Sequence, residues 1–200
     1  RNTDWFKYLF RNSVTHTHNL NASGGSEKMT YYISVGYQNI EGAAKGSDTE
    51  KISTLAKMSM NINKHISFTA KIDFTNTSNN GYASSVNPFN YAYNKSRTIP
   101  VYNTDGSHYM TYEKTGSTGQ QSIGYNILKE LDNTGKSSKM DDFNALLQLD
   151  VNIIDGLKYT GTFSYHNSNT AQRDWATEQS YYISDIRAVS YTHLRAHETK

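Results

Sequence analysis

The sequence predicts an all-β chain that contributes to an antiparallel transmembrane β-barrel with long extracellular loops. Apolar and polar residues alternate over segments of about 9 to 11 residues, the length that crosses a bilayer at a tilt, whereas soluble strands run about 5 to 6. Connections between these segments are short and long by turns, as in outer-membrane barrels with tight turns on one side and long loops on the other.

Bulk composition agrees. Hydrophobic residues make up 36% of the 200 and mean hydropathy is −0.74, low for a chain built round one large core. No run approaches the roughly 18 apolar residues of a spanning helix, which excludes a helical membrane protein, while a barrel leaves only the alternating signal. A net charge of +2, with 20 scattered basic residues, sets nucleic acid aside as a partner. Zero cysteines removes disulfide frameworks, thiol catalysis and cysteine-ligated zinc. The start, Arg1 to Asp4, carries no signal peptide; the chain is cytosolic or its N-terminus lies further upstream, and the barrel reading favours the second.

Asn2, Thr3 and Asp4 can cap a short helix in which Trp5 pairs with Leu9 and Phe6 with Phe10 at i,i+4. A first strand, about His16 to Ser23, ends at a turn over Gly24 to Glu27. The second, Met29 to Gln38, puts Met29, Tyr31, Ile33, Val35 and Tyr37 on one face, and a modest loop follows from Glu41 to Lys51. Strands from Ala56 to Ile62 and Ile66 to Phe74 meet across Asn63 to His65; strands from Phe143 to Ile153 and Leu157 to Tyr165 meet across Asp155 and Gly156. Between these hairpins, Asn76 to Met140 reads as a very long polar connection, with one short helix where Ile127, Leu128 and Leu131 share a face. Both prolines, Pro88 and Pro100, fall in this connection, and none in a strand.

A soluble sandwich also alternates, so the register has to be weighed energetically. Slipping the Ile66 to Phe74 strand by one residue would turn Lys71 and Asp73 to lipid, at about 2 to 4 kcal/mol for a midplane lysine and less for the aspartate. The oily face therefore points outward, and Lys57, Lys71, Asp73 and Asp150 line a wet interior. Aromatic residues toward strand ends (Tyr31, Tyr37, Phe74, Phe143, Tyr165) stand where barrels carry their girdles.

Several stretches resemble the SusC/RagA family, TonB-dependent outer-membrane transporters of Bacteroidetes that import oligosaccharides or peptides. Asn2 to Phe6 with Phe10 and Arg11 resembles the segment after that family's plug domain, and His18 to Leu20 with Ser23 to Lys28 and Tyr31-Tyr32 resembles an early barrel hairpin. Glu41-Gly42 with Lys45 to Asp48, Asn87 to Phe89, Ser96 to Pro100, Tyr102 to Ser107, Gly124 to Leu128 and Leu157 to Tyr159 match in type and order. The resemblance implies a fragment of a large antiparallel transmembrane β-barrel: residues 1–15 after the plug, 16–187 as partial barrel, with the plug, the TonB box and other strands outside the chain. It implies further a cell outer membrane location, outer-membrane lipid around the barrel, a SusD-like surface lipoprotein, TonB and a glycan or peptide substrate as partners, with no enzymatic activity and no cofactor. A passive porin or adhesin barrel would lack the plug, and a secreted glycan-binding β-sandwich would close its strands within the chain.

The segment Val189 to Thr199 invites a metal site, with His193 and His197 at i,i+4. It is instead similar to a translated transposase-library adapter, which implies that native sequence stops near Arg187 and that residues 188–200 are not native. His16 and His18 share a strand face without a third ligand nearby, and Asp141 and Asp142, adjacent in a strand, point to opposite faces. No catalytic set stands out. In the long connection, Tyr91, Tyr93, Tyr102 and Tyr109 are candidate ligand contacts, since aromatic rings stack on sugars or grip peptide side chains; their alternative role is to pack the loop. Arg97 is a candidate beside them, to bind substrate or to pin the loop.

Overall fold

Each strand pairs antiparallel with the one before it in the chain, so sequence order and spatial order coincide. The computed structural model describes residues 2–83, 86–111, 124–181 and 183; the adapter-like stretch 188–200 lies outside them. One sheet contains β1 (Thr15–Gly25), β2 (Met29–Glu41), β3 (Asp48–Asn61), β4 (Ile66–Gly81), β5 (Thr134–Ile154) and β6 (Leu157–Ala176) in the order β1-β2-β3-β4-β5-β6. Among the described residues β1 and β6 do not pair with each other, and no second sheet packs on this one. The arrangement is an open stretch of wall, not a sandwich.

Direct pairing sorts the side chains into rows. Ile33, Ala56, Ile72, Ala145 and Tyr165 form one; Tyr31, Met58, Ala70, Leu147 and Phe163 form the next; Met29, Met60, Phe68 and Leu149 follow. Residues directly opposite share a face, so these rows make one continuous apolar band. No other part of the described chain covers the band: Ile33, Ile72 and Phe163 remain 51%, 47% and 62% exposed. The reverse face carries polar rows, among them Asn21, Ser34, Asp73, Asn144 and His166, with Leu55 between them.

Three connections at one end are tight. Gly25 leads to Met29, Asn61 to Ile66, and Ile154 turns through Asp155 and Gly156 to Leu157, where Gly156 takes φ of 86°, a conformation glycine adopts without strain. Asn63 shapes the second: its Oδ1 accepts from the backbone N–H of His65 at 2.8 Å and of Ile66 at 2.9 Å.

At the other end the strands run past the sequence-based bounds. β3 begins at Asp48 instead of Ala56, β4 continues to Gly81, β5 begins at Thr134 and β6 continues to Ala176. The loop expected over 41–51 shrinks to residues 42–47, and the one expected over 76–140 to residues 82–133. These extensions are mostly polar on both faces, with Ile52 and Leu55 on β3, Met140 on β5 and Trp175 on β6 as large apolar exceptions; Thr75 to Gly81 holds only threonine, asparagine, serine and glycine. Where both faces meet water, alternation vanishes while backbone pairing persists, for example Ser78 opposite Lys139 and Asn80 opposite Ser137.

The buried core sits outside the sheet. Helices α1 (Trp5–Leu9), α2 (Pro88–Asn94) and α3 (Ile127–Asn133) gather Trp5, Leu9, Val86, Ala92, Val101 and Ile127 into a cap at the long-loop end. Trp5 and Leu9 are buried and Phe6 stacks on Phe10 at 5.4 Å, the pairing the i,i+4 spacing anticipates. Asp4 occupies the N-cap without a side-chain cap bond. Thr3 anchors the segment instead, donating from N to Arg97 O at 2.8 Å and from Oγ1 to Ile99 O at 2.7 Å. The helix α2 lies in what alternation leaves as loop; Asn87 caps it by accepting from the Asn90 N–H, with Pro88 in the first turn.

Asn126 stitches the cap together. Almost wholly buried, it donates from Nδ2 to Val101 O at 3.0 Å and Tyr109 O at 2.9 Å, and its Oδ1 accepts from Leu128 N to cap α3. Replacing it with alanine takes the side-chain donor from the Tyr109 carbonyl, leaves Val101 O with only the Tyr109 N–H, and uncaps the helix, so Asn126→Ala is expected to cost about 1 to 3 kcal/mol. Hydrogen exchange should speed up across residues 99–111 and 126–133 while the β2–β3 ladder keeps its protection; uniform loss throughout would contradict a local role.

Burial raises the Tyr125 phenol above its ordinary 10.0, with the neighbouring Glu130 carboxylate adding to the effect. The folded value then exceeds the unfolded one, so the stabilisation is complete below pH 10 and is lost as pH climbs above it toward the folded value. Alkaline titration followed by near-ultraviolet circular dichroism should show the cap loosening above pH 10, with the midpoint displaced upward in Tyr125→Phe; an unchanged midpoint would exclude this residue.

Candidate membrane face, polar wall and ligand-binding loops

The apolar band has a defined edge. The row of Val35, Thr54, Phe74 and Phe143 is its last on β4 and β5; one row beyond, Tyr37 and Ile52 continue it on β2 and β3 while on β4 and β5 Asn76 Nδ2 donates to Asp141 Oδ1 at 2.5 Å. An aromatic pair followed by hydrogen-bonded polar groups is the order expected where hydrocarbon gives way to headgroups and water. At the opposite end Met29 and Met60 close the band on β2 and β3, and Ile66, Val151 and Tyr159 close it on β4 to β6. No described helix is long and apolar enough to cross a membrane, which leaves strands as the elements to consider.

Polar groups on the reverse face are tied to one another. Lys71 Nζ lies 3.0 Å from Asp73 Oδ1, and Asn144 Nδ2 donates to Asp73 Oδ2 and to Asp142 Oδ1, each at 2.8 Å. His166 Nδ1 stands 2.5 Å from Asn144 Oδ1 and 3.8 Å from Asp142. Lower down, Asp150 receives Thr160 at 2.7 Å, Gln148 at 2.8 Å and Lys158 at 3.0 Å. Lys57 and Lys71 sit directly opposite in the pairing, a repulsion that Asp73 offsets by drawing Lys71 toward it. Asp141 and Asp142, adjacent in sequence, do serve opposite faces through Asn76 and Asn144.

Five residues singled out in the long connection do not converge on one cavity. Tyr91 is half-buried, edge-on to Trp5 at 5.1 Å and 5.8 Å from Tyr125, with the Lys95 ammonium 5.3 Å from its ring centre. Tyr93 projects at 83% exposure, and Arg97 is exposed, its backbone carbonyl held by Thr3. Tyr102 joins an exposed aromatic row, 6.4 Å from Tyr8 and 5.3 Å from His108. Tyr109 is partly exposed and gives its carbonyl to Asn126.

Sequence reasoning missed Tyr8 and Trp175. Tyr8 is off the buried stripe of α1, and Trp175 lies in the part of β6 where alternation had lapsed. The segment before β1 is fastened to the β2–β3 loop: Arg11 pairs with Asp48 and donates from Nε to Gly42 O at 3.1 Å, while Phe10 bridges to Ala44. Thr3, bonded to Arg97 O and Ile99 O, ties the same segment to the stretch that carries Tyr102.

No protein-family model matches the chain. Among curated proteins it is 26% identical over 183 residues to TonB-dependent receptor P26 of Formosa agariphila, a match covering 90% of this chain and 17% of that protein. TonB-dependent receptor SusC of Bacteroides thetaiotaomicron is 27% identical over 111 residues, covering 55% of this chain and 11% of that receptor. Among solved structures, the RagAB peptide importer in its closed-closed state superposes with a TM-score of 0.72 at 19% identity, over 90% of this chain and 20% of that one. A second RagAB peptide transporter structure gives 0.70 at 20% identity, over 86% of this chain and 20% of that one. The chain thus spans about a fifth or less of the length of the proteins it matches. By sequence it is similar to TonB-dependent receptors of the SusC kind, and its fold is that of one stretch of a RagAB transporter barrel.

Proposed function

We propose that the chain is a piece of the wall and outer loops of an outer-membrane importer, energised through TonB and carrying oligosaccharides or peptides. The observation that carries this reading is the uncovered apolar band backed by a hydrogen-bonded polar face, an arrangement suited to lipid on one side and an aqueous lumen on the other. Residues 16–187 form the barrel portion, residues 1–15 lead into it, and 188–200 are foreign to the native protein. A plug domain and TonB box belong to the rest of the polypeptide. A SusD-like lipoprotein sits over the capped end, where Tyr93, Arg97, Tyr102 and Tyr109 offer substrate its first contacts and Tyr91 braces them from within the cap.

The complete reading frame and its neighbours test this assignment. A plug upstream and a SusD-like gene alongside are expected; a short frame without either would favour a passive barrel. The membrane orientation has its own test in two adjacent residues of β5. Leu147 lies in the apolar band and Leu146, opposite Lys71, on the polar face. In lipid vesicles Leu147→Arg should cost about 2 to 4 kcal/mol of unfolding free energy and Leu146→Arg much less. Equal costs, or the reverse order, would contradict the orientation.

A further inference from the structure

Where the cap meets the ends of β4, β5 and β6 there is a half-open cleft of about 390 Å³, a size ordinary for a small-molecule site. None of the five tyrosine and arginine candidates lines it; Tyr8, Tyr82 and Trp175 do, together with Lys45, Lys136 and Asp132. We propose that this cleft binds one ring of an acidic oligosaccharide, a pyranose carrying a carboxylate or sulfate. The proposal rests on the importer reading and narrows its substrate class.

Trp175 supplies the first argument. A Cβ built on Gly135 would meet the indole at 2.7 Å, so one side of the ring is seated against bare backbone, while the residue as a whole stays 41% exposed. An aromatic ring held in this way loses little freedom on binding and presents a flat apolar surface to the C–H face of a sugar. Tyr8, 39% exposed, and the half-buried Tyr82 add further rings around the cleft, each with a hydroxyl for hydrogen bonding.

Charge supplies the second. Among the described residues neither Lys45 nor Lys136 has a carboxylate within 4.0 Å, whereas the Asp132 carboxylate already has His108 Nε2 at 3.9 Å. The lining therefore carries two ammonium groups against the single carboxylate of Asp132, an excess of positive charge beside its rings that favours an anionic ligand over a neutral one.

Tryptophan fluorescence of the full 200-residue chain in detergent micelles, its strand content checked by circular dichroism, tests the proposal. The chain has two tryptophans and Trp5 is buried, so emission changes report on Trp175. Titration with tetragalacturonate should give a saturable shift, with maltotetraose at least about tenfold weaker. The double variant Lys45→Met/Lys136→Met should erase that preference, and Gly135→Val, which displaces the indole, should weaken both sugars. Calorimetry on Trp175→Ala should show tetragalacturonate at least about tenfold weaker. An unchanged affinity in that variant, or no saturable response to either sugar in the parent chain, would overturn the proposal. Tetra-alanine binding as tightly as tetragalacturonate would also overturn it while leaving an importer of peptides in place, whereas the importer reading itself stands or falls on the plug and the SusD-like gene expected in the complete reading frame and its neighbours.

Discussion

The constraint from which the rest follows is that the sheet has an apolar face that nothing among the described residues covers. Tyr31, Ile33, Ile72, Leu147 and Phe163 stand in register across the strands, and each is more than a third exposed. A soluble protein seldom leaves so wide a patch open, because each large apolar side chain kept from water is worth about 1.5 to 3 kcal/mol. Hydrocarbon removes the penalty without a protein partner, and the alternating pattern then has to be kept in phase on every strand.

Once the band faces lipid, the polar face inherits its role from the pleat. Lys71, Asp73, Asn144, Asp142 and His166 are joined by hydrogen bonds and close charge contacts, so groups too costly for the lipid side are mutually satisfied on the other. Ordinary core-building is displaced to the cap, where Trp5, Leu9, Val101 and Ile127 pack together and Asn126 spans three segments. Two kinds of order therefore coexist in one short chain: a wall that depends on its solvent and a cap that depends on its own interior.

Legibility in the sequence followed the same division. Strands crossing the band could be read from Ile66 to Phe74 and its counterparts, because lipid on one side and water on the other impose a strict period of two. Thr75 to Gly81 and Thr134 to Asp142 could not, since water on both sides imposes none and only cross-strand bonds reveal them. The helix at Pro88 carried a readable signal in Asn87 followed by Pro88, which strand periodicity does not register. Tyr102 was picked out as an aromatic in a long loop, but its neighbour Tyr8 comes from a segment more than ninety positions away, tied to that loop by the Thr3–Ile99 contact. The cleft around Trp175 was likewise invisible, because its lining is drawn from both ends of the chain.

Nitroxide scanning along β4 tests the orientation most directly. The chain has no cysteine, so single cysteines placed from Ile66 to Phe74 label without background. In vesicles, labels at Ile66, Phe68, Ala70, Ile72 and Phe74 should collide with dissolved oxygen, and those at Ser67, Thr69, Lys71 and Asp73 with a water-soluble nickel chelate. Collisions without that period of two, or the apolar set meeting the chelate, would contradict a lipid-facing band.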